Sequence, residues 1–353
     1  MTRDEARELR EEDAFDVEAL HAWLSRRVDG LTGPPEVRQF GGGASNLTYL
    51  LRYPERDLVL RRPPAGQKAA SAHDMAREHR VQSALAPHYR YVPEMVALCE
   101  DESVLGSPFY VMERLEGTIL RGTLPAGLEL SPEDARALGF RAFDALLELH
   151  GVDVEAAGLS DLGKGRGYVG RQVAGWSDRF RRARTENVPD FEPVMAWLAE
   201  HQPEDVATVL VHNDFRLDNL VLSPDTHGDL RVIGVLDWEM STLGDPLMDL
   251  GGALAYWVQA DDDELFRLSK RQPSDLPGMP TRAELVAHYA SRTGLDVSDW
   301  TFYEVFGLFR LAVIVQQIYY RYHHGQTTNP AFKDFWGFVA ILDDRCRRLA
   351  RIA

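Results

Sequence analysis

Cysteine is scarce in this chain of 353 residues, which contains only Cys99 and Cys346. They lie far apart in the sequence, and neither has a second cysteine at the spacing of a metal or redox motif. A reducing compartment is therefore the simplest expectation. The opening segment, MTRDEARELREEDAF, is charged where a signal peptide would be apolar, so we expect a cytoplasmic location.

Long hydrophobic runs and an excess of positive charge are missing as well. The most apolar region, residues 305–318, is interrupted by Arg310 and Gln316, which makes it too short and too polar to span a bilayer. The formal net charge is −16. Because nucleic acids and anionic membranes attract basic surfaces, neither is expected as a partner. The acidity mildly favours a neutral or cationic substrate, although many soluble enzymes are acidic for solubility alone.

The remaining composition is that of an ordinary globular protein, with 44% hydrophobic and 27% charged residues. The chain is longer than a single hydrophobic core usually organises, so two lobes are predicted. Strand patterns dominate residues 1–114, with strands around a Gly-rich turn within 36–61, and helical patterns dominate residues 115–353, beginning with a long helix at 132–150. A hinge near residues 114–117 would place a cleft between these lobes.

The strongest chemical signal is the segment HNDFRLDN, residues 212–219, followed by Asp237 at the end of an apolar strand. Phosphoryl transfer requires a positioned hydroxyl and cations on the phosphate oxygens. Asp214 can accept the hydroxyl proton, and Asn219 and Asp237 offer hard oxygen ligands that suit Mg²⁺. A metal-dependent hydrolase would need further His or Glu ligands at short spacing, and the sequence has none there. We expect His212 to be a structural hydrogen-bonding residue.

With these motifs, the chain resembles the aminoglycoside phosphotransferase and choline kinase superfamily. It is especially similar to the bacterial branch related to the kinase-like domain fused to some acyl-CoA dehydrogenases. The resemblance covers at least residues 40–257: the family's catalytic loop matches 212–219, its metal-binding Asp-Trp-Glu matches 237–239, and its Gly-Asp-Pro-x-x-Asp-Leu matches 244–250. It implies an α+β, two-lobed protein-kinase-like fold with a small β-rich N-terminal lobe and a larger, mainly helical C-terminal lobe.

The resemblance also implies an activity and residue roles. The chain would be an ATP-dependent small-molecule kinase, with GTP as the alternative nucleotide. Asp214 would be the catalytic base or orienting residue, and Asn219 and Asp237 would bind Mg²⁺. Asp249 would brace the catalytic loop by accepting backbone hydrogen bonds.

The first lobe is expected to supply the nucleotide site. Its Gly-rich turn lets backbone N–H groups approach phosphates, although such a turn on its own is more often an ordinary hairpin turn. The hinge would present backbone groups to the base. The residues expected at the nucleotide, apart from the strand discussed next, are Gly42, Gly43, Ser45, Asn46, Glu113 and Leu115.

The chain departs from the kinase pattern in the strand LVLR, where the expected lysine is absent. Alternation places Val59 and Arg61 on one face. Val59 would then line the adenine pocket, while Arg61 would replace the lysine and be oriented by Glu78. Arg62 would point the other way, and Lys68, in a probable loop, is the reserve candidate. The competing interpretation makes both arginines solvated ends of an edge strand.

The acceptor is expected to be a hydroxyl of a small molecule bound over the helical lobe. Two alternatives stay open: an aminoglycoside kinase, which would need several converging acidic residues, and a catalytically weak nucleotide-binding regulatory protein. Intact Asp214, Asn219 and Asp237 disfavour the second. In the alternative interpretation, the aromatic residues among the candidates belong to the core and the acidic ones to the solvated surface. The candidate residues for the wall of the acceptor site are Arg310, Gln317, Tyr319, Tyr320, Tyr322, Tyr256, Trp257 and residues 261–264.

Overall fold

A computed structural model describes residues 6–41, 46–64, 74–223 and 230–352 of the chain. Gly42, Gly43, Ser45 and Lys68, which the sequence places at or near the nucleotide, lie outside the described residues.

The first part of the chain forms a five-stranded antiparallel sheet in the order β1-β2-β3-β5-β4. The strands are β1 Glu36–Gln39, β2 Leu47–Arg52, β3 Asp57–Arg62, β4 Met95–Cys99 and β5 Phe109–Glu113, and the helices are α1 Val17–Leu24, α2 Met75–Leu85 and α3 Glu102–Leu105. Apolar side chains of α1 and α3 pack on one face of the sheet, whereas α2 packs beside β4 and β5 on the other. The face shared with α2 also borders the site described below.

The second part is mainly helical. Its helices are α4 Pro132–His150, α5 Tyr168–Ala183, α6 Glu192–Glu200, α7 Pro246–Leu254, α8 Glu264–Arg267, α9 Arg282–Thr293, α10 Trp300–His323 and α11 Phe335–Ala350. Two short antiparallel pairs join β6 Val209–Val211 to β9 Thr242–Gly244, and β7 Leu220–Leu222 to β8 Val232–Val235. The predicted α+β class is confirmed, while the predicted lobe boundary between residues 114 and 115 stays a prediction.

The predicted helix at residues 132–150 is found with those bounds, and its first turn shows why. Ser131 accepts a hydrogen bond from the backbone N–H of Asp134, whose carboxylate in turn accepts from the N–H of Ser131. This reciprocal capping satisfies two helix-terminal donors. Buried Leu138, Leu146 and Leu149 then recur at helical spacing and anchor α4 in the core.

The alternation predicted for β3 is also found. Arg61 faces the inner side of the sheet, whereas Arg62 is buried on the opposite face, where it donates to the Tyr49 hydroxyl at 3.2 Å and to the Asp13 carbonyl at 2.7 Å. Its guanidinium also lies 5.2 Å from the centre of the Phe15 ring. Since β3 is the third of five strands, the interpretation of both arginines as solvated ends of an edge strand is wrong.

The connection after β5 rests directly on the second part of the chain. Thr118 and Leu222 exchange backbone hydrogen bonds of 3.0 and 2.9 Å. A Cβ atom at Gly117 would lie 2.2 Å from the Leu222 carbonyl oxygen, so only glycine permits this approach. The hinge is thereby fixed against β7, the strand that follows the HNDFRLDN segment.

Helix α10 is long and apolar enough to cross a membrane by length and composition, and it is the one such helix in the described part of the chain. The fold itself covers 72% of its apolar window. At its contact with α7, a Cβ atom at Gly307 would lie 2.2 Å from the Gly251 carbonyl oxygen. This close contact brings Arg310, one turn further along α10, to the Asn213 carbonyl.

We predict that Arg62→Ala destabilises the protein by about 1.5–3 kcal/mol, the usual contribution of hydrogen bonds to a charged group. The reason is that the Tyr49 hydroxyl and the Asp13 carbonyl lose a buried donor. Urea denaturation followed by circular dichroism measures the change. Arg38→Ala on β1, where the side chain is 45% exposed, is the matched control and should stay within about 0.5 kcal/mol of wild type. Equal effects of both substitutions would contradict the buried role of Arg62.

Candidate functional site

A cavity of about 760 Å³ lies between the five-stranded sheet and the helical part. This volume is within the usual range for small-molecule sites. Residues far apart in sequence meet on its walls. The predicted site residues that line it are Asn46, Arg61, Glu113, Leu115, Asp214, Asn219 and Asp237. Glu78 lies behind this wall, in contact with Asn46 and Arg61.

The HNDFRLDN segment is held by the buried carboxylate of Asp249. The backbone N–H groups of His212 and Asn213 each donate to it at 2.7 Å, and His150 Nε2 lies 3.1 Å from its Oδ2. Burial alone would raise the pKa of Asp249. The hydrogen bond from His150 and the electrostatic interaction of the carboxylate with that side chain outweigh burial and lower the pKa. The structure therefore places Asp249 where the sequence predicted a brace.

His212 links the same segment to the strand before Asp237. Its Nδ1 lies 3.2 Å from the backbone N–H of Asp214, and its Nε2 lies 3.0 Å from the Leu236 carbonyl. Because the amide can only donate and the carbonyl can only accept, the ring proton is assigned to Nε2. Both ring nitrogens are thus used in structural hydrogen bonds, as predicted for His212.

Asp214, Asn219 and Asp237 converge on the cavity. The side-chain nitrogen of Asn219 donates to the Asp214 carbonyl at 2.8 Å and to its Oδ2 at 3.0 Å, which leaves the amide oxygen of Asn219 for another contact. Asp237 adopts a left-handed backbone conformation, φ 69°, and its side chain is 31% exposed. A carboxylate and an amide oxygen at one cavity wall fit a hard cation such as Mg²⁺.

These residues would not hold a metal ion alone. Within the described ranges no cluster of three or more His, Cys, Asp or Glu side chains has the arrangement of a metal site. Mg²⁺ commonly binds through one or two protein ligands together with substrate phosphates and water. The pair Asn219 and Asp237 therefore fits a cation that arrives with a nucleotide better than a resident metal.

Arg61 reaches Asp237 from the sheet. Its Nη2 lies 3.0 Å from Asp237 Oδ1 and 3.9 Å from Glu78 Oε2. Burial acts to lower the pKa of Arg61, but Tyr110, Asp237 and Glu78 outweigh it and raise that pKa, so the guanidinium stays charged. The predicted neighbourhood of Arg61 and Glu78 is found, although the shorter contact is the one to Asp237.

Glu78 itself is held by two polar contacts that the sequence did not predict. The Tyr110 hydroxyl donates to its Oε2 at 3.0 Å, and the Asn46 amide lies 3.2 Å from its Oε1. Burial raises the pKa of Glu78, while the charge of Arg61 and the hydrogen bond from Tyr110 oppose the increase. Strand alternation put Arg61 on this face, but nothing in the sequence signalled that Tyr110 would share it.

Asn46 makes side-chain contacts that the sequence did not predict, while its predicted place at the nucleotide stays a prediction. Its side-chain nitrogen also lies 3.1 Å from Glu239 Oε2, so the amide lies between two carboxylates and connects α2 to the short turn Trp238–Met240. Arg77 on α2 strengthens this connection by donating to the backbone carbonyls of Glu239 and Ser241. Asn46 thus lines the cavity, and its side chain also connects the sheet to α2 and to the segment after Asp237.

At the hinge, the backbone N–H of Glu113 already donates to the Glu94 carbonyl at 2.9 Å. It is therefore not available to a ligand, and only the carbonyl of Glu113 can take the predicted role. The N–H of Leu115 has no backbone acceptor among the described residues. Leu115 thus offers the open amide at the predicted base-binding position, and Val59 lines the same cavity, as the strand register required.

Some of the residues that were predicted for the acceptor wall line the cavity, while their acceptor role stays a prediction. Arg310, Gln317 and Tyr256 line the cavity. Trp257 does not, because it is buried and donates through its indole N–H to a backbone carbonyl in the loop before α9. Asp262 is held by arginines of α9 and α11 and belongs to the packing of those helices. The cavity residues Trp176, Ile314 and Ile318 were not predicted, because their helical pattern is that of ordinary core residues.

A family model described as "Phosphotransferase enzyme family" matches residues 36–285. The chain is 38% identical over 326 residues to acyl-CoA dehydrogenase family member 10 of Mus musculus, covering 92% of this chain and 30% of that protein. The chain therefore spans under a third of that relative's length.

Solved structures give the same fold. A crystal structure of a Ralstonia eutropha protein, provisionally assigned as an aminoglycoside phosphotransferase, is 36% identical, with a TM-score of 0.80 and coverage of 96% of this chain and 99% of that one. A thermostable mutant of aminoglycoside phosphotransferase APH(4)-Ia, in complex with AMP-PNP and hygromycin B, matches with a TM-score of 0.55 at 14% identity, covering 95% and 98% of the two chains. The predicted two-lobed kinase-like phosphotransferase fold is thereby confirmed.

We predict that Asp249→Asn destabilises the protein by about 1.5–3 kcal/mol at neutral pH, because the amide turns an N–H group toward a backbone N–H. Folding lowers the pKa of Asp249. The carboxylate therefore stabilises the folded protein fully above the usual Asp pKa of about 3.9, and this stabilisation is lost as the pH falls through the lower pKa of the folded state. Thermal melts across this acidic range measure the difference between variant and wild type. Exposed Asp178→Asn is the control, and a difference that grew on acidification would contradict this assignment.

Proposed function

Because the chain belongs to the phosphotransferase enzyme family, we propose that it transfers the γ-phosphate of ATP, or of GTP, to a hydroxyl of a small molecule with the help of Mg²⁺. The observation that carries the proposal is the meeting of Asp214, Asn219, Asp237 and Arg61 on one cavity. A carboxylate for the hydroxyl, oxygen ligands for a cation and a buried guanidinium are the groups that phosphoryl transfer requires.

In the proposed reaction, the acceptor oxygen forms a bond to the γ-phosphorus as the bond from that phosphorus to the β,γ-bridging oxygen breaks. The electron pair of the broken bond leaves with ADP, and the hydroxyl proton passes to the Asp214 carboxylate. The hydrogen bond from Asn219 fixes the orientation of this carboxylate, which gives the positioning that such a step depends on. Bound between Asn219, Asp237 and the phosphates, Mg²⁺ would neutralise phosphate charge.

The nucleotide is assigned to the side of the cavity that borders the sheet. Val59, Met112 and Leu236 supply an apolar surface for a base, and the N–H of Leu115 lies at its edge. Arg61 lies beyond this apolar surface, beside Asp237. The fold neighbour that is in complex with AMP-PNP supports an adenine nucleotide as the first to test.

Thermal melts with and without Mg·ATP test the binding half of the proposal. Ligand binding to the folded state alone adds about 2.7 kcal/mol of stability at a concentration a hundredfold above Kd. ADP release, measured over a panel of hydroxylated metabolites and aminoglycosides with and without Mg²⁺, tests the catalytic half. Binding without any turnover would instead favour the regulatory alternative.

We predict that Asp214→Asn and Asp237→Asn separate turnover from binding. Asp214→Asn should lower kcat by about 10²–10⁴-fold, as expected for loss of a general base, and leave Mg·ATP affinity nearly unchanged. Asp237→Asn should weaken metal-dependent nucleotide binding as well, because a carboxylate ligand and the partner of Arg61 are both lost. Calorimetry and steady-state kinetics measure the two effects. Identical behaviour of the variants would show that this division of roles is wrong.

We predict that Arg61→Ala costs on the order of 1.5–3 kcal/mol in nucleotide affinity or transition-state stabilisation, the usual range for hydrogen bonds to a charged group. Arg61→Lys should retain part of this energy, because lysine keeps the positive charge but lacks the planar guanidinium that binds with two N–H groups at once. Nucleotide titrations and kcat/KM measure the losses. Arg62→Ala is the neighbouring control: it should lower stability without changing nucleotide affinity in the folded protein.

A further inference from the structure

One face of α10 forms the cavity wall on the helical side. Arg310, Ile314, Gln317 and Ile318 all line the cavity, and their spacing of four, seven and eight residues puts them on one helical stripe. Arg310 stands at the catalytic end, where its Nη2 donates to the carbonyl of Asn213, the residue before Asp214. From there the stripe runs for roughly 12 Å and presents mainly apolar side chains.

The guanidinium of Arg310 is buried and has no anionic partner in the part of the chain that the structure describes. The residue is 6% exposed, and no carboxylate of the described ranges forms an ion pair with it. Its contacts are the carbonyl of Asn213 and the ring of Trp176, whose centre lies 5.1 Å from the guanidinium carbon. A buried charge is costly unless it is paired, so this position favours an anion that enters with a ligand.

The surrounding charges strengthen the same preference. Arg179 lies over Trp176 at 4.6 Å, and burial together with the positive charges of Arg182 and Arg310 lowers its pKa. The nearby carboxylates of Asp214 and Asp218 are both within ion-pair distance of Arg216. Because these two carboxylates pair with Arg216, Arg310 is left on this wall without an ion-paired carboxylate among the described residues, which does not suit a polycationic aminoglycoside.

We propose that the acceptor is a hydroxylated carboxylate with an alkyl body. Its carboxylate binds Arg310, its alkyl chain lies along Trp176, Ile314 and Ile318, and its hydroxyl faces Asp214. This proposal rests on the proposed function and specifies its acceptor. The nucleotide phosphates do not compete for Arg310, because they are assigned to Arg61, Asn219 and Asp237.

The test compares hydroxyhexanoates, with the hydroxyl at each position in turn, with their methyl esters. For the best isomer, wild-type kcat/KM is expected to be about tenfold to a hundredfold higher for the acid than for the ester, the range of a charged hydrogen bond. Arg310→Gln should bring this ratio close to one, and Arg310→Lys should retain part of it. Arg321→Gln, at an exposed position further along α10, should leave it unchanged.

The acid-to-ester ratio separates this proposal from a purely structural role for Arg310. Loss of the Asn213 contact alone would slow both substrates equally and leave the ratio unchanged, and that result would overturn the carboxylate site. An aminoglycoside preferred over every acid would also overturn it.

Calorimetry measures how tightly the protein binds the best hydroxyhexanoate and its ester in the absence of nucleotide. This measurement distinguishes a failure of the carboxylate site from a failure of the proposed kinase reaction. The acid should bind more tightly than the ester to wild type, and Arg310→Gln should remove this difference. Equal binding of acid and ester to wild type overturns the carboxylate site, even if Mg·ATP stabilises the protein. Selective acid binding together with no Mg·ATP stabilisation supports the site and overturns the kinase reaction alone.

Discussion

The site depends first on the buried carboxylate of Asp249. By accepting the backbone N–H groups of His212 and Asn213, it fixes the direction in which Asp214 leaves the chain. Asn213 is in a left-handed conformation, φ 65°, which an L residue adopts rarely and only where its surroundings hold it there. Asp249 accepts a hydrogen bond from the backbone N–H of Asn213, and Arg310 donates one to the Asn213 carbonyl. Backbone contacts of its neighbours thus position Asp214, and the hydrogen bond from Asn219 then orients its carboxylate.

Polar contacts then connect the sheet to this fixed loop. Arg61 reaches Asp237 from β3, Asn46 reaches Glu239 from the start of β2, and Arg77 reaches the carbonyls of Glu239 and Ser241 from α2. All these contacts end on the short segment that follows β8. A nucleotide or cation bound at Asp237 would therefore act directly on the contact between the two parts of the protein.

Charge is distributed unevenly along the cavity. On the sheet side, Arg61 lies among the carboxylates of Glu78 and Asp237, with Glu239 close by, a surrounding that accommodates a cation bound with phosphates. On the helical side, Arg310 has no carboxylate partner within the described ranges. The two sides of the cavity therefore differ in how their buried arginines are paired.

Local sequence patterns were enough for several individual elements and for the segment that meets Asp237 at the cavity. Alternation in β3 separated Arg61 from Arg62, the apolar periodicity and Ser131 cap gave the bounds of α4, and the spacing from His212 to Asn219 indicated the loop. These predictions succeed because strand alternation, helix capping and the short catalytic loop depend on neighbours within a few residues.

Contacts between distant segments were decided only by the tertiary structure. The Tyr110 hydroxyl donates to Glu78, and the side-chain amide of Asn46 contacts Glu239. Trp176 and Arg310 come from different helices and meet only after α5 and α10 pack together. No local pattern encodes these pairs, because each depends on the packing of whole helices and sheets around the cavity. The residues of the loop could therefore be identified from the sequence. The charge and shape of the cavity wall that α5 and α10 form were decided by the packing of these helices.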